Sequence, residues 1–150
     1  MNDAKRVIER FEEEFYLDYQ KLTHDFRNGL TLRVGLYGTA GPGGTIETRR
    51  EDWGQRCFYM YDSEIIFTFE TPVSNVEFSV FLKQEHERSW YRINEVGVPD
   101  SASIPIPATG GDIGKTRIVS FDSALGIESF VISHFNNNEM RLLIDNLSWA

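Results

Sequence analysis

The sequence predicts an all-β fold, an antiparallel two-sheet jelly-roll β-sandwich with at most one short helix near the N-terminus. Three observations favour this fold. β-Branched and aromatic residues, which suit strands, clearly outnumber Ala and Leu. Apolar and polar residues alternate along several segments, and clusters of Gly, Pro, Asn and Asp separate those segments at short intervals. Residues 1–150 are expected to form one domain, because the chain has no internal repeat, low-complexity tract or linker.

The sequence allows two structures for the first segment, 3–10. Val7, Phe11 and Phe15 recur at helical spacing behind Asp3, which could cap a helix. The same apolar residues could instead pair in a sheet as an opening strand over 6–11. A short helix or an irregular arm is favoured for 3–10, and the opening strand is the alternative.

The rest of the chain is predicted to form short strands joined by turns. The Thr71-Pro72 pair predicts a break between two of them, because proline cannot donate to a strand ladder. Stretches rich in Gly or Asn at 38–44, 110–112 and 136–138 predict loops, and the prolines of 97–107 predict an irregular region or an edge. The expected strands are 30–37, 56–61, 64–70, 75–82, 90–94, 115–121, 127–135 and 140–149.

Alternation also predicts which side chains are buried. Cys57 is expected to act as a small buried apolar residue, and Trp149 is assigned to the core. The other predicted core residues occupy the apolar positions of the strands. They are Leu30, Leu32, Val34, Ile65, Phe67, Phe69, Val76, Phe78, Val80, Phe130, Ile132, Leu143 and Leu147.

Composition excludes several classes of function. A net charge of −8 argues against a broad nucleic-acid-binding surface, because phosphate contacts need clustered Lys and Arg. No apolar stretch approaches the ~20 residues that span a membrane. One cysteine leaves no intrachain disulfide framework and no Cys-based zinc site. The N-terminus has no secretory signal, so a cytoplasmic location is expected; export by a route that the chain does not encode, or a chain shortened at its N-terminus, stays open.

No motif predicts catalysis. His24 and Asp25 are neighbours and would point to opposite faces of a strand, so they do not form a dyad. His86 lies in a polar turn, and His134 shares a strand face with apolar residues, which favours a half-buried structural histidine. The chain lacks a Gly-x-Ser-x-Gly elbow, and no acidic pair stands out. The sequence therefore predicts no catalytic residue and a protein that is not an enzyme.

Four short motifs resemble one family. They are Phe11-Glu12 near the start, Asn-Gly-Leu-Thr-Leu at 28–32, the segment from Phe69 to Phe78, and Ile-Asp-Asn-Leu at 144–147. In this order they resemble bacterial jelly-roll domains of the carbohydrate-binding, galactose-binding-like type, including ectodomains that precede PEP-CTERM sorting signals. The resemblance implies a structural calcium site where the first and last strands meet, with Glu12 and Asp145 as carboxylate ligands. The alternative is that the glutamates at 12–14 form a solvated face and Asp145 ends a strand.

Aromatic side chains in polar, turn-rich stretches point to a ligand surface. Trp53, Trp90 and Tyr91, with Arg88 beside them, are the candidate ligand-binding residues, because indole and phenol rings combine a flat apolar face with a polar edge. The predicted function is non-catalytic binding of a neutral glycan or a similar polar ligand. The alternative is a protein-interaction or structural subunit that self-associates or docks a partner through a sheet edge. The oligomeric state stays open.

Overall fold

The structure is a computed structural model that describes residues 6–38, 44–49, 55–60, 62–82, 89–99, 101–106, 115–135 and 142–150. Within these residues the chain forms eleven strands and no helix. No helix in this part of the chain is long and apolar enough to cross a membrane. The strands are β1 (Val7–Glu9), β2 (Tyr16–Leu17), β3 (Thr23–Asp25), β4 (Leu30–Tyr37), β5 (Gly44–Arg49), β6 (Gln55–Met60), β7 (Ser63–Leu82), β8 (Ser89–Glu95), β9 (Ile104–Pro105), β10 (Thr116–His134) and β11 (Leu142–Trp149).

Antiparallel pairing arranges these strands in two layers. Sheet 1 has the order β3-β4-β7-β10-β8-β9, and sheet 2 has the order β2-β5-β6-β11-β7-β10, with β1 also paired to β11. Two long strands, β7 and β10, belong to both sheets. The first half of β7 pairs with β4 and the second half of β10, and the second half of β7 pairs with β11 and the first half of β10. The predicted all-β sandwich is confirmed.

The predicted break at Thr71-Pro72 is wrong as a strand end, because both residues lie inside β7. The β7–β10 register shifts there, from Thr68 opposite Ser129 to Val73 opposite Ile127. Pro72 therefore falls at an irregularity, where its missing N–H costs no regular ladder bond. Gly126 faces this point with a φ of +94°, and a Cβ on it would lie 3.2 Å from the Cβ of Pro72.

The ends of the described chain meet. β1 pairs with β11 in antiparallel register, with Val7 opposite Trp149 and Glu9 opposite Leu147. The helix or irregular arm favoured for 3–10 is wrong for 7–9, and the opening strand, predicted over 6–11, is confirmed for 7–9. Residues 3–5 lie outside the described residues. The physical reason is that β6 pairs only with the first part of β11, so β1 completes the ladder along the rest of it. Arg6 reinforces this contact by donating from Nε to the Ser148 hydroxyl over 3.0 Å.

The apolar core lies between the two sheets. Every predicted core residue is buried, and so are Trp149 and Cys57. The centre is aromatic: the Phe130 ring stacks on Phe67 at a centroid distance of 4.8 Å and on Phe78 at 5.6 Å. Leu143 is the exception in position, because it packs with Cys57 and Phe81 in a separate cluster. Its neighbour Ile144 points into the core, so strand alternation turns Leu143 to the outer side of sheet 2.

Two loop regions bear on the predictions made from glycine and proline. Ile104 and Pro105 form β9, a short edge strand, as the prolines of 97–107 predict. The predicted loops at 110–112 and 136–138, and most of the one at 38–44, lie outside the described residues.

Candidate functional site

The outer face of sheet 1 is the surface that combines an aromatic ring with ordered polar groups. Its strands alternate, so one set of side chains enters the core and the other set faces outward. Trp90 is half-buried on this outer face, in a row of paired residues between Pro105 of β9 and Ser133 of β10. The outward residues form three rows: Trp90, Ser133, Glu64 and Leu36; Arg92, Val131, Ile66 and Arg33; and Asn94, Ser129, Thr68 and Thr31.

Glu64 is the polar centre of this face. Its side chain is only 15% exposed, its Oε2 accepts a hydrogen bond from the Ser133 hydroxyl over 3.0 Å, and its Oε1 lies 3.9 Å from Nη2 of Arg92. Opposite charges therefore face each other beside Trp90, in a setting where the carboxylate has lost most of its water. The backbone of Gly35 comes close to the same carboxylate: a Cβ on it would lie 3.5 Å from Oε1 and 3.0 Å from the Ile66 side chain.

A second hydrogen bond orders the third row. Asn94 donates from Nδ2 to the Ser129 hydroxyl over 2.8 Å, which holds the amide between β8 and β10. Val131 lies between the two polar rows and is buried, although it faces away from the core. The face therefore holds ordered donors and acceptors on either side of a buried apolar residue.

The four predicted ligand-binding residues do not form one described platform. Trp90 and Tyr91 lie within β8 and not in a loop, and adjacent strand residues point to opposite faces. Tyr91 packs against the core, where its ring stacks on Phe121 at 5.5 Å with an interplanar angle of 16°. Of these two described residues, Trp90 is the one that lies on the outer face of sheet 1. Trp53 and Arg88 lie outside the described residues.

An exposed pair of tyrosines lies at the rim where β4 ends. Tyr19 is 67% exposed and Tyr37 is 50% exposed, and their rings meet edge to face with centroids 5.3 Å apart. Tyr37 follows Leu36, the last member of the Trp90 row, directly along β4. The sequence shows Tyr37 beside a glycine-rich stretch, but nothing in the pattern brings it together with Tyr19.

The predicted calcium ligands lie in different surroundings. Glu12 is exposed and lines a groove of about 460 Å³. Asp145 is 3% exposed and pairs with Ser79 in the register of β11 and β7. The glutamate that is fixed near the first strand is Glu9, whose two carboxylate oxygens accept from Asn28 Nδ2 at 2.8 Å and from the backbone N–H of Phe11 at 2.7 Å.

Metal ligands usually come as a group. Among the described residues, no three His, Cys, Asp or Glu side chains lie together in an arrangement that could hold a metal ion. The first and last strands meet as the calcium hypothesis requires, and Asp145 is a buried carboxylate of the type that a hard cation prefers. Calcium binding by Glu12 and Asp145 stays a prediction.

Two of the three histidines are described, and both are structural. His134 is fully buried, and its Nδ1 lies 2.8 Å from the hydroxyl of Ser89 on the neighbouring strand. His24 stacks on Phe15 at a centroid distance of 4.0 Å. Burial lowers the pKa of His24, the charge of Lys21 lowers it further, and the carboxylates of Glu13 and Asp25 oppose the shift. Neither ring is placed to act on a ligand of the outer face of sheet 1. His86 lies outside the described residues.

Comparison with known proteins gives a fold and no family. The sequence matches no family model and no curated protein. Among solved structures, the K2 cleaved adhesin domain of Lys-gingipain superposes with a TM-score of 0.54 at 11% identity, covering 97% of this chain and 99% of that one. The K1 adhesin domain of Lys-gingipain from Porphyromonas gingivalis W83 gives 0.51 at 13% identity, covering 98% of both chains.

A carbohydrate-binding module of family 61, solved in complex with β-1,4-galactotriose, gives a TM-score of 0.52 at 10% identity and covers 94% of this chain and 90% of that one. At such identities the likeness shows the fold alone. The chain is similar in fold to carbohydrate-binding modules and adhesin domains, so the resemblance predicted from the sequence motifs is confirmed at the level of the fold.

Proposed function

We propose that this domain is a non-catalytic module that binds a neutral glycan on the outer face of sheet 1, with Trp90 as the stacking residue. One observation carries the proposal: Trp90 lies on an outer sheet face, in one row with a carboxylate that is ordered by Ser133 and faces Arg92.

The chemistry of a sugar ring matches these groups. A pyranose has a face of C–H bonds and a rim of hydroxyl groups, so it needs an apolar surface and polar partners side by side. The indole of Trp90 offers the apolar surface. Glu64 offers acceptor oxygens and Arg92 offers donors, and both suit hydroxyl groups. A bound ligand would remove water from Glu64 and Arg92, and hydrogen bonds from its hydroxyl groups would offset the free energy lost with that water.

Net charge favours a neutral ligand. The chain carries −8 at neutral pH, so its net charge repels an anionic polymer. A neutral glycan avoids this repulsion. The fold shared with a module solved in complex with β-1,4-galactotriose supports the proposal as an analogy between folds, which is weaker than an argument from the site.

A second candidate is association through a sheet edge. Residues 118–122 of β10 pair with β7 on one side, and no described strand pairs with them on the other. Ile118 is exposed on this strand. Such an edge can accept a strand from a partner. Light scattering tests it: a monomer at all concentrations opposes self-association through this edge.

The glycan proposal is tested by titration calorimetry against neutral oligosaccharides, with β-1,4-galactotriose and mannohexaose as the first probes. Trp90→Ala should lower affinity at least about tenfold, which is about 1.4 kcal/mol, and Trp90→Phe should retain part of it. Tyr16→Ala is the matched control, because Tyr16 is an exposed aromatic residue on β2, in the other sheet. Equal affinity of Trp90→Ala and the unaltered protein would contradict the proposal.

A further inference from the structure

We infer that Gly35 determines which ligands the outer face of sheet 1 accepts, because the absence of a side chain there lets a ligand hydroxyl group approach Glu64. This inference rests on the proposed function and deepens it. The ligand is one that places a hydroxyl group against the backbone of β4 and donates from it to the Glu64 carboxylate. A ligand that only stacks on Trp90 would not need Gly35.

The first step is the position of Gly35, at a β-bulge. The register of β4 with β7 shifts between Val34 and Leu36, so Gly35 is the extra residue of the bulge. Gly35 and Leu36 are both exposed. A Cβ on Gly35 would point toward the outward carboxylate of Glu64, so the open side of Gly35 lies on the outer face of sheet 1. The backbone of β4 is therefore accessible to a ligand beside Glu64.

The second step is that the backbone does not require a glycine here. The described glycines with a positive φ are Gly29, Gly97 and Gly126. Gly35 is not among them, so its φ lies in the range that other residues adopt. Glycine weakens the interior of a strand, because it loses more chain entropy on folding and packs no side chain. A glycine at such a position indicates that another group approaches the backbone closely, either a neighbouring side chain or a ligand.

The third step is that the Glu64 carboxylate has an oxygen available on this side. Its Oε2 accepts from the Ser133 hydroxyl over 3.0 Å, which orients the carboxylate. Its Oε1 lies 3.9 Å from Nη2 of Arg92, which is too long for a hydrogen bond. A Cβ on Gly35 would lie 3.5 Å from this same Oε1. Oε1 therefore keeps the capacity to accept from a ligand hydroxyl, and the open space at Gly35 leads to it.

The fourth step separates a ligand from the other group that approaches Gly35, which is Ile66. A Cβ on Gly35 would lie 3.0 Å from Cδ1 of Ile66, closer than side chains normally pack. Because Cδ1 is the flexible end of a half-buried side chain, this contact alone does not require a glycine. Ile66→Val removes Cδ1 and relieves the contact, but it leaves a methyl group at position 35 beside Oε1 of Glu64. A double variant can therefore distinguish packing from ligand access.

The experiment compares the unaltered chain with Gly35→Ala, with Ile66→Val and with the double variant. Affinity is measured by titration calorimetry with β-1,4-galactotriose and mannohexaose, and stability is measured as the melting temperature. We expect Gly35→Ala to lower affinity for the recognised oligosaccharide at least about tenfold and to lower the melting temperature. Ile66→Val is the control and should bind as the unaltered chain does. The double variant should melt as Ile66→Val does and still bind as weakly as Gly35→Ala.

A second measurement needs no substitution. When the oligosaccharide saturates the unaltered chain, the backbone amide signals of Gly35 and Leu36 should shift in NMR spectra, because the ligand lies over this part of β4. The amide of Thr45, on β5 in the other sheet, should keep its position. This measurement decides the question if Gly35→Ala does not fold.

Each outcome distinguishes this inference from the proposed function. If Gly35→Ala binds as the unaltered chain does while Trp90→Ala loses affinity, the role of Gly35 is wrong and the proposed function stands. A double variant that regains affinity would assign the glycine to the packing of Ile66 and overturn the inference alone. An amide signal of Gly35 that does not move at saturation overturns it as well. Binding of neither oligosaccharide by the unaltered chain overturns both.

Discussion

The outer faces of the two sheets differ, although the same strands β7 and β10 contribute to both. On sheet 1 the outward side chains around Trp90 are half-buried and largely polar, and Glu64 and Ser133 are joined by a hydrogen bond. On sheet 2 the outward side chains of Cys57 and Leu143 are fully buried and pack with Phe81 in an apolar cluster. The first face keeps polar groups accessible, and the second buries this apolar cluster.

This difference separates binding from stability. Buried apolar groups stabilise a fold through the area they remove from water, whereas half-exposed polar groups contribute little to folding and remain available to a ligand. We therefore expect substitutions in the buried apolar cluster of sheet 2 to affect the free energy of unfolding, and substitutions of Trp90 and Glu64 on the outer face of sheet 1 to affect binding. Substitutions of Leu143, Asp145 and Glu64 test this expectation.

The largest expected effect is on sheet 2. Leu143→Ala should lower the free energy of unfolding by about 2–5 kcal/mol, because it leaves a cavity where a fully buried side chain packs on Phe81 and Cys57. Ile118→Ala is the control: Ile118 is an apolar residue of the same sheet but is exposed, so its loss should cost less than about 0.5 kcal/mol. Urea denaturation measures both. Equal costs would show that the cluster does not stabilise the fold.

The next effect concerns Asp145, which lies on the same outer face as Leu143. If Asp145 and Glu12 bind calcium, calcium at 100 times its Kd should stabilise the protein by about 2.7 kcal/mol, and Asp145→Asn should abolish the gain. Glu12→Gln should weaken it, because a carboxylate ligand is lost. Differential scanning calorimetry with calcium and with a chelator measures the shift. A melting temperature that ignores both would contradict calcium binding.

A smaller effect on stability, with a large one on binding, is expected at Glu64. Glu64→Gln keeps the shape of the side chain and an acceptor for the Ser133 hydroxyl, but it removes the charge that faces Arg92. Stability should fall by no more than about 1 kcal/mol, and glycan affinity should fall several-fold. Thr68→Ala, on the same outer face and exposed, is the control. Unchanged affinity would remove Glu64 from the binding surface.

The smallest expected effect is a dependence of stability on pH. It arises from His24, which lies on neither outer face. The pKa of His24 is lowered from 6.5 in the folded chain, mainly by burial. The unfolded chain therefore binds the proton first, so the stabilising contribution is complete above pH 6.5 and is lost as the pH falls below that value. His24→Phe keeps the ring on Phe15 and should flatten the melting temperature between pH 7 and pH 5 (about the range in which histidine titrates). An unchanged slope would assign the dependence to other groups.

The alternation of apolar and polar residues predicts well which residues are buried. It predicts poorly which residues together form a binding surface. All of the predicted core residues are buried, because each occupies the apolar position of a two-residue period. The same period places Trp90 and Tyr91 on opposite faces of β8, although their adjacency in the sequence predicts one aromatic platform. Alternation also predicts that Leu143 is buried, but it does not show that Leu143 packs in a cluster separate from the central core.

The rest of the site depends on contacts between distant segments. Glu64 is one of many acidic residues in the sequence, and only the register of β7 with β10 brings it opposite Ser133. Tyr19 and Tyr37 are 18 positions apart, and the turn at Asp18 sets their meeting. The break predicted at Pro72 fails for a related reason, since a shift in register lets proline remain inside a long strand.

The passage of β7 and β10 through both sheets has a consequence for how the molecule opens. Neither sheet can lose its hydrogen bonds without unzipping a strand that also holds the other, so the two layers should unfold as one cooperative unit. Backbone amides at the centres of these strands should then exchange with deuterium only through global unfolding, at the same free energy on either layer. The short strands β2, β3 and β9, which pair on one side with a single described neighbour, should exchange through local fraying. The domain would thus have one rigid frame and a periphery that opens independently of it.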